Sequence, residues 1–275
     1  MLSAKTRLLA LLGDPVVHSL SPAFQNAAIR DAGFDAVYVA LRCDAHSVAP
    51  LIRALCRAGG GGNVTVPHKS TAAECVERPT DAVLRTGACN TFWSVDGVVH
   101  GDNTDVAGFR FAVLQLLPAL EGITALIVGA GGAAAAAACA LMDDGASTII
   151  MINRSPDRAR SLAQRLDPEG RIIRVVTSVH DLAGDDIDLA VNASAVGLSG
   201  DEPLPFDLAA LGRVRAAFDI VYRREGSTPW VRHARRLGIE AADGTEMLLG
   251  QGAGAFERWF DRQAPLDVMR AALTE

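Results

Sequence analysis

Lysine is scarce in this 275-residue chain: Lys5 and Lys69 are the only two, and the other basic side chains apart from histidine are arginine. Base composition alone can produce such a bias, yet an ammonium can release and regain a proton where a guanidinium cannot. Lys69 is therefore the first candidate for acid–base chemistry. It closes the run Asn63-Val64-Thr65-Val66-Pro67-His68-Lys69. That run places Thr65 and Lys69 just past an apolar strand, at the end where open α/β sheets bind ligands. A second cluster, Ser19-Leu20-Ser21-Pro22, sets two hydroxyls beside an expected helix N-terminus, where dipole and free N–H groups favour a carboxylate. Ser21 also reads as the N-cap, which leaves Ser19 unexplained. A third cluster joins Asn90-Thr91 to Gly101-Asp102-Asn103-Thr104-Asp105. Each cluster alone is ordinary turn chemistry. Together they suit a small polar acid.

A nucleotide signal lies further on. Gly129-Ala130-Gly131-Gly132-Ala133-Ala134 follows a short apolar strand and opens a helix, the setting that a dinucleotide-binding turn requires. Glycines permit a tight turn and close approach, and the helix start offers N–H groups to a pyrophosphate. Alone, such a turn is also compatible with a purely structural role. The next strand ends in Asn153-Arg154-Ser155, with Arg158 one turn later. An acidic residue here would take the ribose hydroxyls of NAD, whereas arginine suits a 2′-phosphate. NADP is the expected cofactor.

The elements that must position these residues alternate. Strands are expected at 8–12, 36–41 and 62–66, with a helix opened by Ser21-Pro22 and closed near Gly33, and another over 48–58. Residues 90–100 read as a hairpin about Asp96-Gly97. A helix over 106–117 precedes a second series, with strands at 125–128, 148–152, 172–176, 189–192 and 217–221. Helices are expected at 133–138, 157–166 and 229–237, and again over 245–260 and 266–273. This alternation predicts an α/β protein with mainly parallel, covered sheets. Length suggests two domains.

Composition narrows the function. The net charge is −6, without the basic footprint of a nucleic-acid binder. Cys43, Cys56, Cys75, Cys89 and Cys139 are odd in number and form no CxxC pair, so a reducing compartment fits better than a disulfide framework. The apolar run after Lys5 and Arg7 is too short for a signal peptide. Residues 122–142 are uncharged but glycine-broken and alanine-rich, too weakly hydrophobic for a span. A soluble, cytoplasmic protein is expected. His46, His180 and His233 read as surface residues. His18 and His68 have no partner at metal-ligand spacing, and no metal is assigned.

In order and spacing, the motifs resemble the shikimate dehydrogenases from end to end. The matching stretches are Gly13-Asp14-Pro15, His18 to Pro22, Asn63 to Lys69, Gly87 to Thr91 and Gly101 to Gly108. They continue through Gly129 to Ala134, Asn153 to Arg158, Asn192-Ala193-Ser194, Asp219-Ile220-Val221-Tyr222, Thr228-Pro229, and Gly244 with Met247, Leu248 and Gln251. The resemblance implies a Rossmann-like NADP domain over 107–244, set within a shikimate-binding domain of 1–106 and 245–275. It implies Lys69 and Asp105 as the catalytic pair, and Ser19, Ser21, Thr65, Asn90, Tyr222 and Gln251 as shikimate contacts. Gly129, Ala130, Gly131, Gly132, Ala133, Asn153, Arg154, Ser155, Arg158, Ile220 and Gly244 would line the NADP site. The implied reaction is reversible reduction of 3-dehydroshikimate to shikimate, by a monomer or homodimer with no nucleic-acid or membrane partner. A quinate-using relative and a non-catalytic NADP-binding regulator are the alternatives. The chain departs from the common family pattern at Gln25, His68 and Cys89, in the all-alanine run after the glycine turn, and over Arg223 to Ser227.

Overall fold

A computed structural model describes residues 3–197, 203–224 and 226–274; Glu225, within the departing segment just named, lies outside them. The chain divides into two compact units, one of Met1–Thr104 with Leu249–Glu275, the other of Asp105–Leu248.

The first unit runs β1 (Arg7–Gly13), α1 (Ser21–Asp31), β2 (Ala36–Arg42), α2 (Ala45–Arg57), β3 (Gly61–Val64), α3 (Lys69–Cys75), β4 (Arg78–Pro79), α4 (Asp81–Thr86), β5 (Thr91–Val95) and β6 (Val98–Asp102). Its sheet has the order β2-β1-β3-β5-β6-β4. Strands β1, β2 and β3 pair in parallel, and β5 is antiparallel to both β3 and β6. The hairpin turns at Asp96-Gly97 with both residues at positive φ, the geometry that two-residue hairpin loops favour. Alternate apolar residues of β1, including Ala10 and Leu12, bury against Val48, Ile52 and Leu55 of α2.

Two expectations change here. Leu20, not Ser21, is the N-cap of α1; it lies in the right-handed helical region and gives no side-chain cap. Ser21 is already helical and buried, and its N–H donates instead to Ser19 Oγ at 3.2 Å. Strand β3 stops at Val64 rather than at 66, because the Thr65 carbonyl turns back to accept from the His68 N–H. The short elements α3, β4 and α4 are too brief for a periodicity to announce them.

The second unit continues with α5 (Asp105–Leu116), β7 (Thr124–Val128), α6 (Gly132–Asp143), β8 (Thr148–Ile152), α7 (Pro156–Leu166), β9 (Ile173–Val176), β10 (Ile187–Asn192), β11 (Val214–Asp219), α8 (Pro229–Arg236) and β12 (Glu240–Ala242). Then come α9 (Thr245–Phe260), which carries the chain across the division, and α10 (Leu266–Thr274), which packs on α1 of the first unit. The second sheet is parallel throughout, in the order β12-β11-β10-β7-β8-β9. Strand order reverses beside β7, and ligands of such sheets bind at the carboxyl ends there. The uncharged stretch 122–142 resolves into β7 and α6. Among the described residues no helix is long and apolar enough to cross a membrane. Alanines 134–138 are wholly buried, and Ala134, Ala135, Ala137 and Ala138 join the core around β7 and α5. Their small side chains allow this close packing and lose no rotamer entropy.

Strand β11 ends at Asp219 rather than 221, because the Val221 N–H leaves the ladder to bond the Asp219 carboxylate. His233 is not a surface residue: only 13% of its side chain is exposed. Its Nε2 lies 2.9 Å from Asp207 Oδ1 and 3.2 Å from the Leu208 N–H, which donates to it.

Candidate active site

In the first unit a continuous polar chain connects the sequence clusters. Asn26 ties α1 to β2, its Nδ2 donating to the Tyr38 carbonyl and its Oδ1 accepting from the Tyr38 N–H. This brings Ser21, one turn earlier on α1, to hydrogen-bond the buried Tyr38 hydroxyl. Tyr38 donates in turn to Asn63 Oδ1 at 2.8 Å. Asn63 Nδ2 reaches the Asn90 carbonyl and Thr91 Oγ1, each at 3.0 Å. Asn90 Oδ1 accepts from the Thr104 N–H at 2.8 Å, and its Nδ2 lies 3.5 Å from Gln251 Oε1. Ser21, Asn90 and Gln251, which are far apart in sequence, therefore share one network. It is almost fully satisfied, as a buried polar cluster must be.

Lys69 opens α3 half-buried, and its carbonyl accepts from the Cys89 N–H, one residue before Asn90. Thr65 sits at the strand end, its N–H donating to the Leu12 carbonyl. Ser19 borders a groove of about 420 Å³ shared with Val16, Pro22, Ala40 and Arg42. Asp105 opens α5, only 5% exposed, directly after Thr104, which Asn90 holds. Lys69 and Asp105 fall in different units.

Positioning residues outside the sequence-based list now stand out. Tyr38 and Asn63 connect the hydroxyl and amide clusters. Gln25 Nε2 donates to the Gly252 carbonyl at 2.9 Å, anchoring α9 beside Gln251. His68 is buried with Nε2 bonded to the Cys43 carbonyl at 2.9 Å, a structural bond. Asn63 and His68 lay inside a motif; nothing local in the sequence connects Tyr38 or Gln25 to their distant partners. Burial pushes the Cys89 thiol up to about 12 and the Cys56 thiol up to about 11, so neither supplies a thiolate nucleophile near neutrality.

In the second unit the glycine turn follows β7 at the reversal point. Gly129 has φ +123°, and a Cβ there would stand 2.7 Å from the Ala193 carbonyl oxygen. Only glycine fits. Gly131 caps α6 without a side chain, no acid lies in the first turn, and nothing stands within 4 Å of the place a Gly131 Cβ would take. The free N–H groups of this helix start suit an anion. Arg154 and Arg158 are exposed beyond β8. Among the described residues neither guanidinium has an ion pair or hydrogen bond, whereas Arg160 is engaged with Asp157 at 2.6 Å. Asn153 Nδ2 folds onto the Ser155 carbonyl, shaping the turn between them. A cavity of about 290 Å³ lies between Ala130 and α7, lined also by Arg158, Ser161 and Arg165. The residues present thus fit a dinucleotide with an additional phosphate. Ile220 and Tyr222 follow β11, and burial pushes the Tyr222 phenol up. A Cβ at Gly244 would come within 2.1 Å of the Ile220 carbonyl oxygen.

Comparison with known proteins finds three family matches. The Shikimate dehydrogenase substrate binding domain matches residues 11–92, Shikimate / quinate 5-dehydrogenase residues 112–195, and the Shikimate 5'-dehydrogenase C-terminal domain residues 244–274. The chain is 39% identical over 268 residues to a Shikimate dehydrogenase (NADP(+)) of Methanothrix thermoacetophila, covering 97% of this chain and 96% of that protein. A shikimate dehydrogenase structure from Aquifex aeolicus superposes with TM-score 0.91 and 33% identity, each chain covered in full. The Thermus thermophilus enzyme in complex with NADP(H) and shikimate superposes with TM-score 0.86 and 33% identity, covering 99% of this chain and 98% of that one.

Proposed function

The chain belongs to the shikimate dehydrogenase family, and we propose that it catalyses the NADP-dependent, reversible reduction of 3-dehydroshikimate to shikimate. Within that reading the first unit supplies most of the substrate contacts, and the second supplies the cofactor site together with Asp105 and Tyr222. The observation that carries it is the pairing, in one chain, of two specific sites. One is an uncapped helix start followed by two arginines that have no partner among the described residues; the other is a buried network uniting Ser21, Asn90 and Gln251.

NADP supplies the hydride or accepts it. Residues 129–133 hold its pyrophosphate on the α6 N–H groups, and Arg154 and Arg158 take the 2′-phosphate with Asn153 and Ser155 forming the turn. Ile220 and Gly244 line the remainder. Ser19 and Ser21 donate to the substrate carboxylate, and Thr65, Asn90, Tyr222 and Gln251 bond its hydroxyls. When the ketone is reduced, Lys69 gives a proton to the carbonyl oxygen; when shikimate is oxidised, it takes that proton back. Asp105 orients the ammonium and keeps it charged. An odd number of cysteines with no CxxC pair supports a reducing, cytoplasmic setting for this reaction.

Calorimetric titration tests this reading. NADP⁺ and shikimate should each bind one-to-one, and NAD⁺ should bind more weakly than NADP⁺. A protein that binds neither NADP⁺ nor shikimate contradicts it.

A further inference from the structure

Asp219 closes β11 with no exposed surface and has no part in the chemistry above. Its Oδ2 accepts from Thr228 Oγ1 at 2.6 Å, while Oδ1 accepts from Asn192 Nδ2 at 2.9 Å and the Val221 N–H at 3.1 Å. These partners stand on three different segments: the end of β10, the loop after β11, and the cap of α8.

Each tie leads onward. Asn192 Oδ1 accepts from the Ser194 N–H and hydroxyl, and its Nδ2 also donates to the Val196 carbonyl. The loop so shaped sets Ala193 against Gly129, where no side chain fits. On the other side, the Val221 tie fixes Ile220 and Tyr222. The Asn192 carbonyl accepts from the Ile220 N–H, and the Val221 carbonyl from the Gly244 N–H. A single carboxylate thus connects the loop abutting the glycine turn with the loops carrying Ile220, Tyr222 and Gly244.

We infer that Asp219 is a positioning residue that holds the nucleotide crevice in shape, an assignment that rests on the dehydrogenase reading of the second unit. An apolar side chain would fill the space but leave three buried donors unsatisfied. A carboxylate accepts all three at once. Among the described residues it has no cationic partner. Burial, with the Asp243 carboxylate acting in the same direction, pushes its pKa up to about 6. The neighbours Asn192 and Thr228 are neutral. Charge is retained there against burial, as an acceptor for those donors.

Titration of the full chain with NADP⁺, and separately with shikimate, tests the assignment. Asp219→Leu removes every tie; Asn192→Ser cuts only the crevice tie and decides the matter if the first variant does not fold. Each should raise the NADP⁺ Kd by about tenfold or more, the worth of one or two buried hydrogen bonds; Asn192→Ser should leave the shikimate Kd within about twofold, whereas Asp219→Leu, which also releases the loop carrying Tyr222, should weaken shikimate less than NADP⁺. Asp219→Asn keeps a carbonyl oxygen for Asn192 and Val221 and should restore NADP⁺ affinity to within about threefold of the parent. An Asn192→Ser effect on NADP⁺ below about threefold, equal weakening of both ligands, or an Asp219→Asn loss as large as that of Asp219→Leu overturns the assignment. A parent that binds shikimate but not NADP⁺ overturns the dehydrogenase reading and the assignment with it.

Discussion

Lys69 has two roles open to it, a fixed positive charge or a group that cycles a proton, and arginine separates them. Lys69→Arg keeps the charge and cannot deprotonate usefully, so kcat should fall by ~10²–10⁴ while part of the shikimate affinity remains. Lys69→Met controls for the bulk of the guanidinium. Turnover within about threefold of the parent would move proton transfer to another group. At the cofactor, Arg154→Ala loses a charge-assisted contact of ~1.5–3 kcal/mol. It should weaken NADP⁺ by roughly ten- to a hundredfold and leave NAD⁺ nearly unchanged. Equal losses for the two cofactors, read from KM values, would contradict a 2′-phosphate contact. The motif residues were legible in sequence because turns and helix starts carry local signals: Ser19-Leu20-Ser21-Pro22 and Gly129 to Ala134 announce themselves. Tyr38, Gln25 and His233 were not, because each acts through a partner on a distant segment.

Elements hold those residues by burial and by a few tied loops. Asp219 makes this measurable through pH. Its folded pKa of about 6 lies above the ordinary 3.8, so the folded state binds the proton more tightly than the unfolded chain. Its contribution to stability is therefore greatest below the unfolded pKa and falls as pH rises from about 4 to 6. The full difference is about 3 kcal/mol. Denaturant titrations at pH 4.5 and 7 should show the parent losing more stability over that interval than Asp219→Asn, by on the order of 1–2 kcal/mol. Identical pH dependence in the two proteins would contradict a raised pKa. Element type followed from periodicity, as β7, β8 and α7 illustrate. The end of β11 did not, because a side-chain bond from Asp219 to Val221 overrides an apolar run that reads as continued strand.

On the scale of the whole molecule, alternating strands and helices foretold an α/β chain with mainly parallel sheets, but not the strand orders. The β3–β5 antiparallel pairing and the reversal beside β7 depend on contacts between segments far apart in sequence. The proposed hydride transfer requires substrate and NADP together. The most direct measurement is the rate of absorbance change at 340 nm for the purified protein, with NADP⁺ or NAD⁺ paired in turn with shikimate or quinate. The highest kcat/KM should belong to shikimate with NADP⁺, with NAD⁺ lower by roughly ten- to a hundredfold through the missing phosphate contact. A preference for quinate, equal use of the two cofactors, or no turnover of shikimate by a folded, NADP⁺-binding protein would contradict it.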